Sequence, residues 1–526
     1  MTLFGEIGLL YKMAKLGIGK SLYHVIKSQF SKTESALKFD NVSSQFFRTL
    51  RGVRQGDTIS PTLFNIFIND INDMLLNEKC SPLKLIDSEI NNLLFADDII
   101  IFSETKEGLQ NSINNFSKYC DKWQLTVNIK KTKSMVFQRR LSKVEKPFIK
   151  YKNQFIDNVT EYKFLGSVIC SNGNLNSSIN DLAKKARKVL FALYSRFSAI
   201  GNVPIHVASN LFDSLVKPIL TYNSEICMMD VYLPFIRAKT RAKNSNNSVD
   251  SFHFIDKTPF EKTHLSFCKH ILGIRKCSSN LATRLELGRA PLENNIKVQS
   301  LLFLARLQTE NINPLLKESF EACKMLDSQN IYSWYTYVKS IISENSADFI
   351  RLTTCKTLKE VKTLKNSIKE AIFNQYDKLC KTSIEKLNER NKLFLYKLLK
   401  INTDRDFYLS HSNFEFRKLV TKFRICDHSL ELEVGRYKKL PRNMRICNFC
   451  SRNEIDDEFH FFFHCEKNQN IRYNYLSEIE NENIDFPNLD YQQKLKHILN
   501  PTNFQQMQRL GSFLKRSMEL RTRDSD

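Results

Sequence analysis

Residues 93–103 read LLFADDIIIFS, an apolar extended run broken by two adjacent carboxylates, Asp97 and Asp98. A buried carboxylate without a partner costs several kcal/mol or takes up a proton. The pair therefore either sits at an exposed turn between two short strands or meets a cation. Carboxylates held rigidly at one point suit hard divalent ions, and two such ions about 3.5–4 Å apart are the arrangement that moves phosphoryl groups. Aspartate is also common in ordinary polar turns, so the pair alone leaves both readings open.

A second constellation lies in RICNFCSRNEIDDEFHFFFHCEKNQNIR. Cys447 and Cys450 form a CxxC pair, and His460 and Cys465 return as HxxxxC, four N/S donors in two close pairs as tetrahedral Zn²⁺ requires. His464 offers a substitute ligand, and Phe459, Phe461, Phe462 and Phe463 supply an apolar base. Chance clustering of reduced thiols is the competing reading. Lys438, Lys439, Arg442 and Arg445 precede the cluster and suit either a nucleic-acid backbone or plain surface charge.

The elements that must position these groups can be read from periodicity. Leu9, Leu10, Met13 and Leu16, then Leu22, Val25, Ile26 and Phe30, predict two helices. Gly52, Gly56 and Pro61 belong to a loop, with Pro61 in the first turn of a helix continued by Leu63, Phe64, Ile66, Phe67 and Ile71. The strand pair around the aspartates is followed by a helix from about Lys106 to Trp123, then by extended segments SMVFQ, PFIKY and YKFLGSVI. This mixture argues for an α+β domain with an antiparallel sheet. From Leu175, an apolar stripe from Ile179 to Phe197 opposes Lys184, Lys185, Arg187 and Lys188, either a solvated face or one that touches phosphates. Residues 238–260 read as a polar basic linker or loop, with helical patterns beyond.

The chain has 526 residues, 42% of them hydrophobic, enough for several cores and two to four domains. Its 79 Lys+Arg against 56 Asp+Glu leave a net charge of +23, a field that attracts a polyanion, nucleic acid first. The 13 cysteines are mostly solitary, which argues against a disulfide framework and for a reduced compartment. The N-terminus lacks a signal-peptide layout, and no apolar run reaches membrane-spanning length. A nuclear or cytoplasmic setting with no membrane partner follows.

The order of four blocks, RGVRQGDTISPTLFNIFINDI, LLFADDIIIFS, LTVNIKKTKSMVF and YKFLGSVI, resembles the palm of reverse transcriptases from non-LTR, LINE-type retrotransposons, jockey-like ones in particular. The resemblance runs from about residue 8 to 230, including the lead-in LLYKMAKLGIGKSLYHVI and the later LFDSLVKPILTY. It implies an RNA-directed DNA polymerase that uses an RNA template, a DNA primer and deoxynucleoside triphosphates. By position it makes Asp97 the principal Mg²⁺ ligand, with Asp98 beside it and Phe95 in the aromatic place. Arg54, Gln55, Gly56 and Pro61 match the block that contacts template and nucleotide. Asn128, Lys131 and Lys133 match the NxxKT-type block, in which one of the two lysines would face the departing pyrophosphate. Phe164, Leu165 and Gly166 match the block that holds the primer end. A Cys-Cys-His-Cys element near the C-terminus is also frequent in LINE-type proteins.

The pattern departs from the family at one place. Family members carry another aspartate on an earlier strand, in a block like DxxxAFD, and here the nearby carboxylates, Glu6 and Asp40 among them, sit in no such block. The expectation is an N-terminally truncated copy with an incomplete two-metal site and impaired polymerisation. A non-catalytic nucleic-acid-binding remnant, and a reading frame without a selected role, are the alternatives. The expected order is a partial palm over 1–170, a helical thumb-like region over 171–237, the linker over 238–260, and a mostly helical region over 261–435. The zinc element then covers 436–475 and a helical tail 476–526.

Overall fold

The computed structural model describes residues 6–31, 33–40, 42–48, 52, 56–75, 80–138, 148–243, 251–345, 349–388, 391–400 and 402–522. The chain divides into two compact units, one of Met1–Leu175 with Asn313–Met325, the other of Asn176–Ile312 with Leu326–Asp526.

In the first unit, helices Glu6–Lys15 and Lys20–Ser31 pack on helix Ser60–Ile68 through Leu9, Leu10, Met13, Ile26, Leu63, Phe64, Phe67 and Ile68. Each such side chain contributes about 1.5–3 kcal/mol on full burial. Pro61 lies in the first turn of the third helix, where its missing N–H has no partner to lose. Helix Lys106–Trp123 is the spine of this unit. It is capped at its start by the Thr105 hydroxyl, which accepts from the Gly108 amide at 3.0 Å, and ends on Gln124 in the left-handed region.

Two clusters use opposite parts of that spine. Tyr119 joins Ile71 and Leu75, against which Leu94 and Ile99 of the aspartate hairpin pack. Ile113 joins Ile149, Tyr151 and Ile156, against which Val127 and Ile129 pack. One helix thus anchors both the Asp97 hairpin and the turn that carries Asn128.

The expected single antiparallel sheet is not what the described residues form. They give one three-stranded sheet, in which Gln154–Asn158 pairs antiparallel with Ile149–Tyr151 and parallel with Lys133–Ser134, and five separate two-stranded pairs. The segment SMVFQ leaves its ladder after Ser134, and the Gln138 amide bonds instead to the Ser171 carbonyl at 2.9 Å.

Beneath this lies a buried cation. Lys12 is 3% exposed. Its ammonium donates to the Phe67 carbonyl at 2.5 Å, to Asp70 Oδ1 at 2.6 Å and to the Tyr119 hydroxyl at 2.7 Å. The rings of Phe67, Tyr119 and Trp123 surround it, the last with its centroid 3.9 Å away.

The second unit is helical. Helix Asn176–Ile200 buries Ile179, Leu182, Ala183, Ala186, Leu190 and Phe197. The expected linker is largely helix: Ser224–Lys243 runs through RAKTRAK, and Ser251–Asp256 and Pro259–Leu272 follow, while residues 244–250 lie outside the described residues. Alanine, arginine and lysine are strong helix formers, which the polar composition concealed. The region expected as a helical tail is mainly helical over its described residues and packs on the rest of the unit. Helix Phe504–Thr522 buries Met507, Leu510, Phe513 and Leu514, and lies so close to helix Phe414–Arg424 that a Cβ on Gly511 would come within 2.3 Å of Phe416 Cγ. No described helix is long and apolar enough to cross a membrane.

Candidate active site and metal centre

Asn92–Phe95 and Asp98–Ile101 form an antiparallel hairpin in which Phe95 pairs with Asp98, leaving Ala96 and Asp97 as a two-residue loop. Such loops need a positive φ that turning glycine or asparagine supplies cheaply. Here Ala96 takes it, at φ 51°, a cost of about 1–2 kcal/mol that the flanking strands must hold. Asp97 and Asp98 are both exposed, and Phe95 is 60% exposed. Among the described residues neither carboxylate has an ion-pair partner, and no third acidic, histidine or cysteine side chain joins them in a metal-ligating group.

The outgoing strand is tied down just beyond. Ser103 Oγ donates to the carbonyls of Cys80 and Ser81 at 2.9 and 3.0 Å. Gly108, in the first turn of the spine helix, faces the same place. A Cβ there would lie 2.5 Å from Ser103 Oγ and 2.6 Å from the Cys80 carbonyl oxygen. The missing side chain lets helix and strand approach that closely.

The Asn128 block is a tight turn. The Asn128 carbonyl accepts from the amides of Lys131 and Thr132 at 3.1 and 3.0 Å, and its side-chain oxygen accepts from Lys131 N at 3.2 Å. The two lysines differ. Lys133 Nζ is 2.5 Å from Asp157 Oδ2, across the parallel strand pair that joins their backbones. Lys131 is exposed, and its carbonyl accepts from the Tyr162 hydroxyl at 3.1 Å. Tyr162 belongs to the hairpin Glu161–Phe164/Ser167–Cys170, whose loop is Leu165 at φ 45° and Gly166 at φ 84°. The structure thus ties the hairpin that carries the Phe164–Gly166 loop to the Lys131 turn through Tyr162.

Gly56 adopts φ 88° with open space where a Cβ would be, ahead of the helix that Pro61 begins. Arg54 and Gln55 lie outside the described residues. On helix Asn176–Ile200, Lys184 and Lys188 are exposed, whereas Lys185 is paired with Asp181 at 2.8 Å. Before the cysteine cluster, Lys438, Lys439 and Arg442 are exposed. Arg445 is spent on structure, donating to the carbonyls of Leu440 and Leu432 at 2.7–3.1 Å.

Cys447, Cys450, His460 and Cys465 converge so that their ligand atoms all lie within 4.8 Å of one another. Cys447 Sγ is 3.9 Å from Cys465 Sγ, and Cys450 Sγ is 3.4 Å from His460 Nε2. A tetrahedron with Zn–S of 2.3 Å and Zn–N of 2.0–2.1 Å has S···S and S···N edges of about 3.8 and 3.6 Å, so the donor set fits. The strand-like bridge Ile446–Ile455 and the Cys447 amide, donating to the Glu454 carbonyl at 2.9 Å, close the first knuckle. Phe461 and Phe462, both fully buried, pack on Phe423 and Phe513 and fix the second half. A hydrogen bond with Cys447 lowers the pKa of the Cys465 thiol, against the opposing effect of burial, and raises that of Cys447.

His460 Nδ1 lies 2.9 Å from Glu454 Oε2, the carboxylate–imidazole contact that fixes the tautomer of a ligating histidine. His464 is outside the four-donor set. Its Nδ1 shares that Glu454 oxygen at 3.0 Å and its Nε2 faces the Tyr491 hydroxyl at 3.4 Å. Glu454 sits inside the motif and could have been found by its spacing from His460. The Arg521 guanidinium, 3.0 Å from Cys465 Sγ, lies 56 residues further along, with no signal to connect it.

Comparison with known proteins places the first unit. Residues 8–169 match the family model described as reverse transcriptase (RNA-dependent DNA polymerase). The chain is 23% identical over 226 residues to the RNA-directed DNA polymerase from mobile element jockey of Drosophila melanogaster, covering 42% of this chain and 24% of that protein. It is 28% identical over 159 residues to the Pol polyprotein from the type-1 retrotransposable element R2 of Nasonia vitripennis, covering 29% of this chain and 15% of the relative. Against the type-2 element R2DM of Drosophila melanogaster it is 35% identical over 96 residues, 18% of this chain and 9% of the relative. The chain thus spans about a quarter of the length of the jockey polymerase, and residues 8–169 are a reverse-transcriptase domain of the kind carried by jockey-like non-LTR retrotransposons.

Proposed function

We propose that the chain acts in RNA-directed DNA synthesis, with an RNA template, a DNA primer and deoxynucleoside triphosphates as partners. The observation that carries this is the pair of exposed carboxylates at a tight hairpin tip, inside the segment that matches the reverse-transcriptase family. Asp97 and Asp98 would hold Mg²⁺. Divalent ions there would neutralise charge on the reacting phosphates and make the primer hydroxyl easier to deprotonate. The hairpin contributes rigidity: strands paired over four residues on each side, seated on Tyr119 and Leu75, fix the backbone from which both carboxylates project.

Lys131 is the lysine that would face the departing pyrophosphate. Its exposed side chain is available to a polyanion, whereas the Lys133 ammonium is already committed to Asp157. Gly56 would allow close backbone approach to template or nucleotide, with Arg54, Gln55 and Pro61 beside it in sequence. Phe95 would stack near the nucleotide, and the Phe164–Gly166 loop would hold the primer end. Lys184 and Lys188 would contact phosphates. Cys447, Cys450, His460 and Cys465 would hold a structural zinc ion, and thirteen free cysteines fit a nuclear or cytoplasmic site of action.

Extension of a DNA primer on poly(rA) with Mg²⁺ or Mn²⁺ tests the reading. Asp97→Asn should lower the rate at least about a hundredfold, the scale of losing charge stabilisation aimed at the reacting group. Equal extension by wild type and Asp97→Asn would refute it. A second reading, nucleic-acid binding without catalysis, is favoured by the absence of a third acidic side chain beside the pair among the described residues. Wild-type protein that binds primer-template with a steep salt dependence yet extends nothing would select it.

A further inference from the structure

The four-donor cluster is not charge-neutral once loaded. Three thiolates and a neutral imidazole around a divalent ion sum to one net negative charge, and Cys447, His460 and Cys465 are 4%, 2% and 0% exposed. An anion in such surroundings calls for nearby donors. At one end Glu454 accepts from His460 and adds negative charge, so it supplies no donor. The other end faces the last turn of the last described helix, Phe504–Thr522.

There Arg521 is 4% exposed. Its Nη2 lies 3.0 Å from Cys465 Sγ and 3.8 Å from Cys447 Sγ. Its Nη1 lies 2.8 and 3.1 Å from the two carboxylate oxygens of Asp456. The rings of Phe449 and Phe461 flank the guanidinium at 5.1 and 4.9 Å. Asp456 is itself fixed, with Oδ2 accepting from the Glu431 amide at 2.9 Å. A planar fork is thus aimed by a carboxylate on one nitrogen so that the other presents its N–H groups to two sulfurs.

We propose that Arg521 is a positioning residue of the metal centre: it donates hydrogen bonds to the Cys465 and Cys447 thiolates and offsets the charge of the loaded site, which couples metal binding to docking of the C-terminal helix. This rests on the zinc reading above. The arrangement puts one buried cation between two buried anions, the loaded cluster and Asp456. Removing the cation leaves Asp456 with the Glu431 amide and the cluster with Arg472, which donates to the Cys465 carbonyl at 2.7 Å but not to sulfur, so the penalty should appear in metal affinity and not only in folding. Drawing electron density from the sulfurs also makes them weaker nucleophiles and weaker charge donors to the ion.

The test uses the full chain, wild type, Arg521→Gln and Arg521→Lys, with Zn²⁺ and Co²⁺ as probes. Wild type should bind one Zn²⁺ per chain. Arg521→Gln should bind about 10–100-fold more weakly, the usual loss for a partner of a ligating residue. Its Co²⁺ form should show the sulfur-to-metal charge-transfer band at longer wavelength, and its cysteines should be alkylated several-fold faster in the Zn²⁺-loaded protein. Arg521→Lys, which keeps the charge but not the fork, should fall between. In wild type, chelation should speed amide exchange over residues 515–522. Wild type without stoichiometric metal would overturn the zinc reading itself. Stoichiometric metal in wild type, with unchanged affinity, spectrum and alkylation rate in both variants, would overturn the role of Arg521 alone. Should Arg521→Gln fail to fold, Arg521→Lys decides by the same three readings.

Discussion

The buried ammonium of Lys12 makes a prediction with an asymmetry that simple loss of a contact would not give. Its side chain is 4% exposed, whereas that of its partner Asp70 is 29% exposed. Asp70→Ala strands a cation in the core with only the Phe67 carbonyl and Tyr119 hydroxyl as acceptors. Breaking a buried pair in this way costs about 3–5 kcal/mol, and the partial exposure of Asp70 places this case near about 3 kcal/mol. Lys12→Met keeps the aliphatic stem among Phe67, Tyr119 and Trp123 and leaves Asp70 with water and the Tyr119 hydroxyl at 2.7 Å. That change should cost about 1–2 kcal/mol, chiefly the lost cation–ring attraction and one donor to Phe67. The double variant should cost less than the sum by about 1–2 kcal/mol.

The protein offers a direct readout, since it has two tryptophans, Trp123 beside Lys12 and Trp334 in the second unit. Urea unfolding followed by Trp123 fluorescence in a Trp334→Phe background reports on the first unit. Acid adds a check. Burial raises the Asp70 pKa, but its hydrogen bonds with Lys12 and Tyr119 outweigh this and hold it below the ordinary value. A carboxyl depressed in the folded state stabilises above its unfolded pKa of about 3.9 and loses that contribution as pH falls through the folded one. The penalty of Asp70→Ala should therefore shrink as pH drops below about 4. An Asp70→Ala cost equal to or smaller than that of Lys12→Met, or strict additivity in the double variant, would refute the reasoning.

Three further outcomes follow from the site. Lys131→Ala should slow primer extension about tenfold or more, the scale of lost acid or charge assistance, while Lys133→Ala should act mainly on stability through its pair with Asp157; the reverse ranking in single-turnover extension would reverse the assignment. Lys184→Ala and Lys188→Ala should each lower the slope of log affinity against log salt by about 1, and Lys185→Ala should change it less because that ammonium is held by Asp181. Equal slopes for all three would make this face plain solvated charge. Glu454→Gln should weaken Zn²⁺ binding about 10–100-fold while leaving primer extension by the first unit unchanged, and undiminished competition with a chromogenic chelator would exclude its role at His460.

What the sequence makes legible is what local pattern dictates. The helix from Lys106 to Trp123 carries its start in Thr105 and its apolar positions at Leu109, Ile113 and Phe116. The four zinc-type donors declare themselves by spacing, and the aspartates by contrast with their apolar neighbours. What stays hidden depends on partners far along the chain. Lys12 reads as an ordinary lysine of an amphipathic helix until residues 67, 70 and 119 supply acceptors. The choice between Lys131 and Lys133 waits on Asp157, and the segment RAKTRAK reads as linker because its polarity masks its helix propensity. Arg521 looks like one more charge near a terminus until Asp456 turns it toward sulfur.

Gly108 limits how closely the helix Lys106–Trp123 and the segment after the aspartate hairpin can approach. Hydrogen bonds and apolar contacts tolerate a few tenths of an ångström, but a glycine pressed on the Cys80 carbonyl and Ser103 sets a hard stop. Even one methyl group there would act as a shim between the helix and the segment leaving the hairpin, so the seat of that segment is governed by excluded volume as well as by attraction.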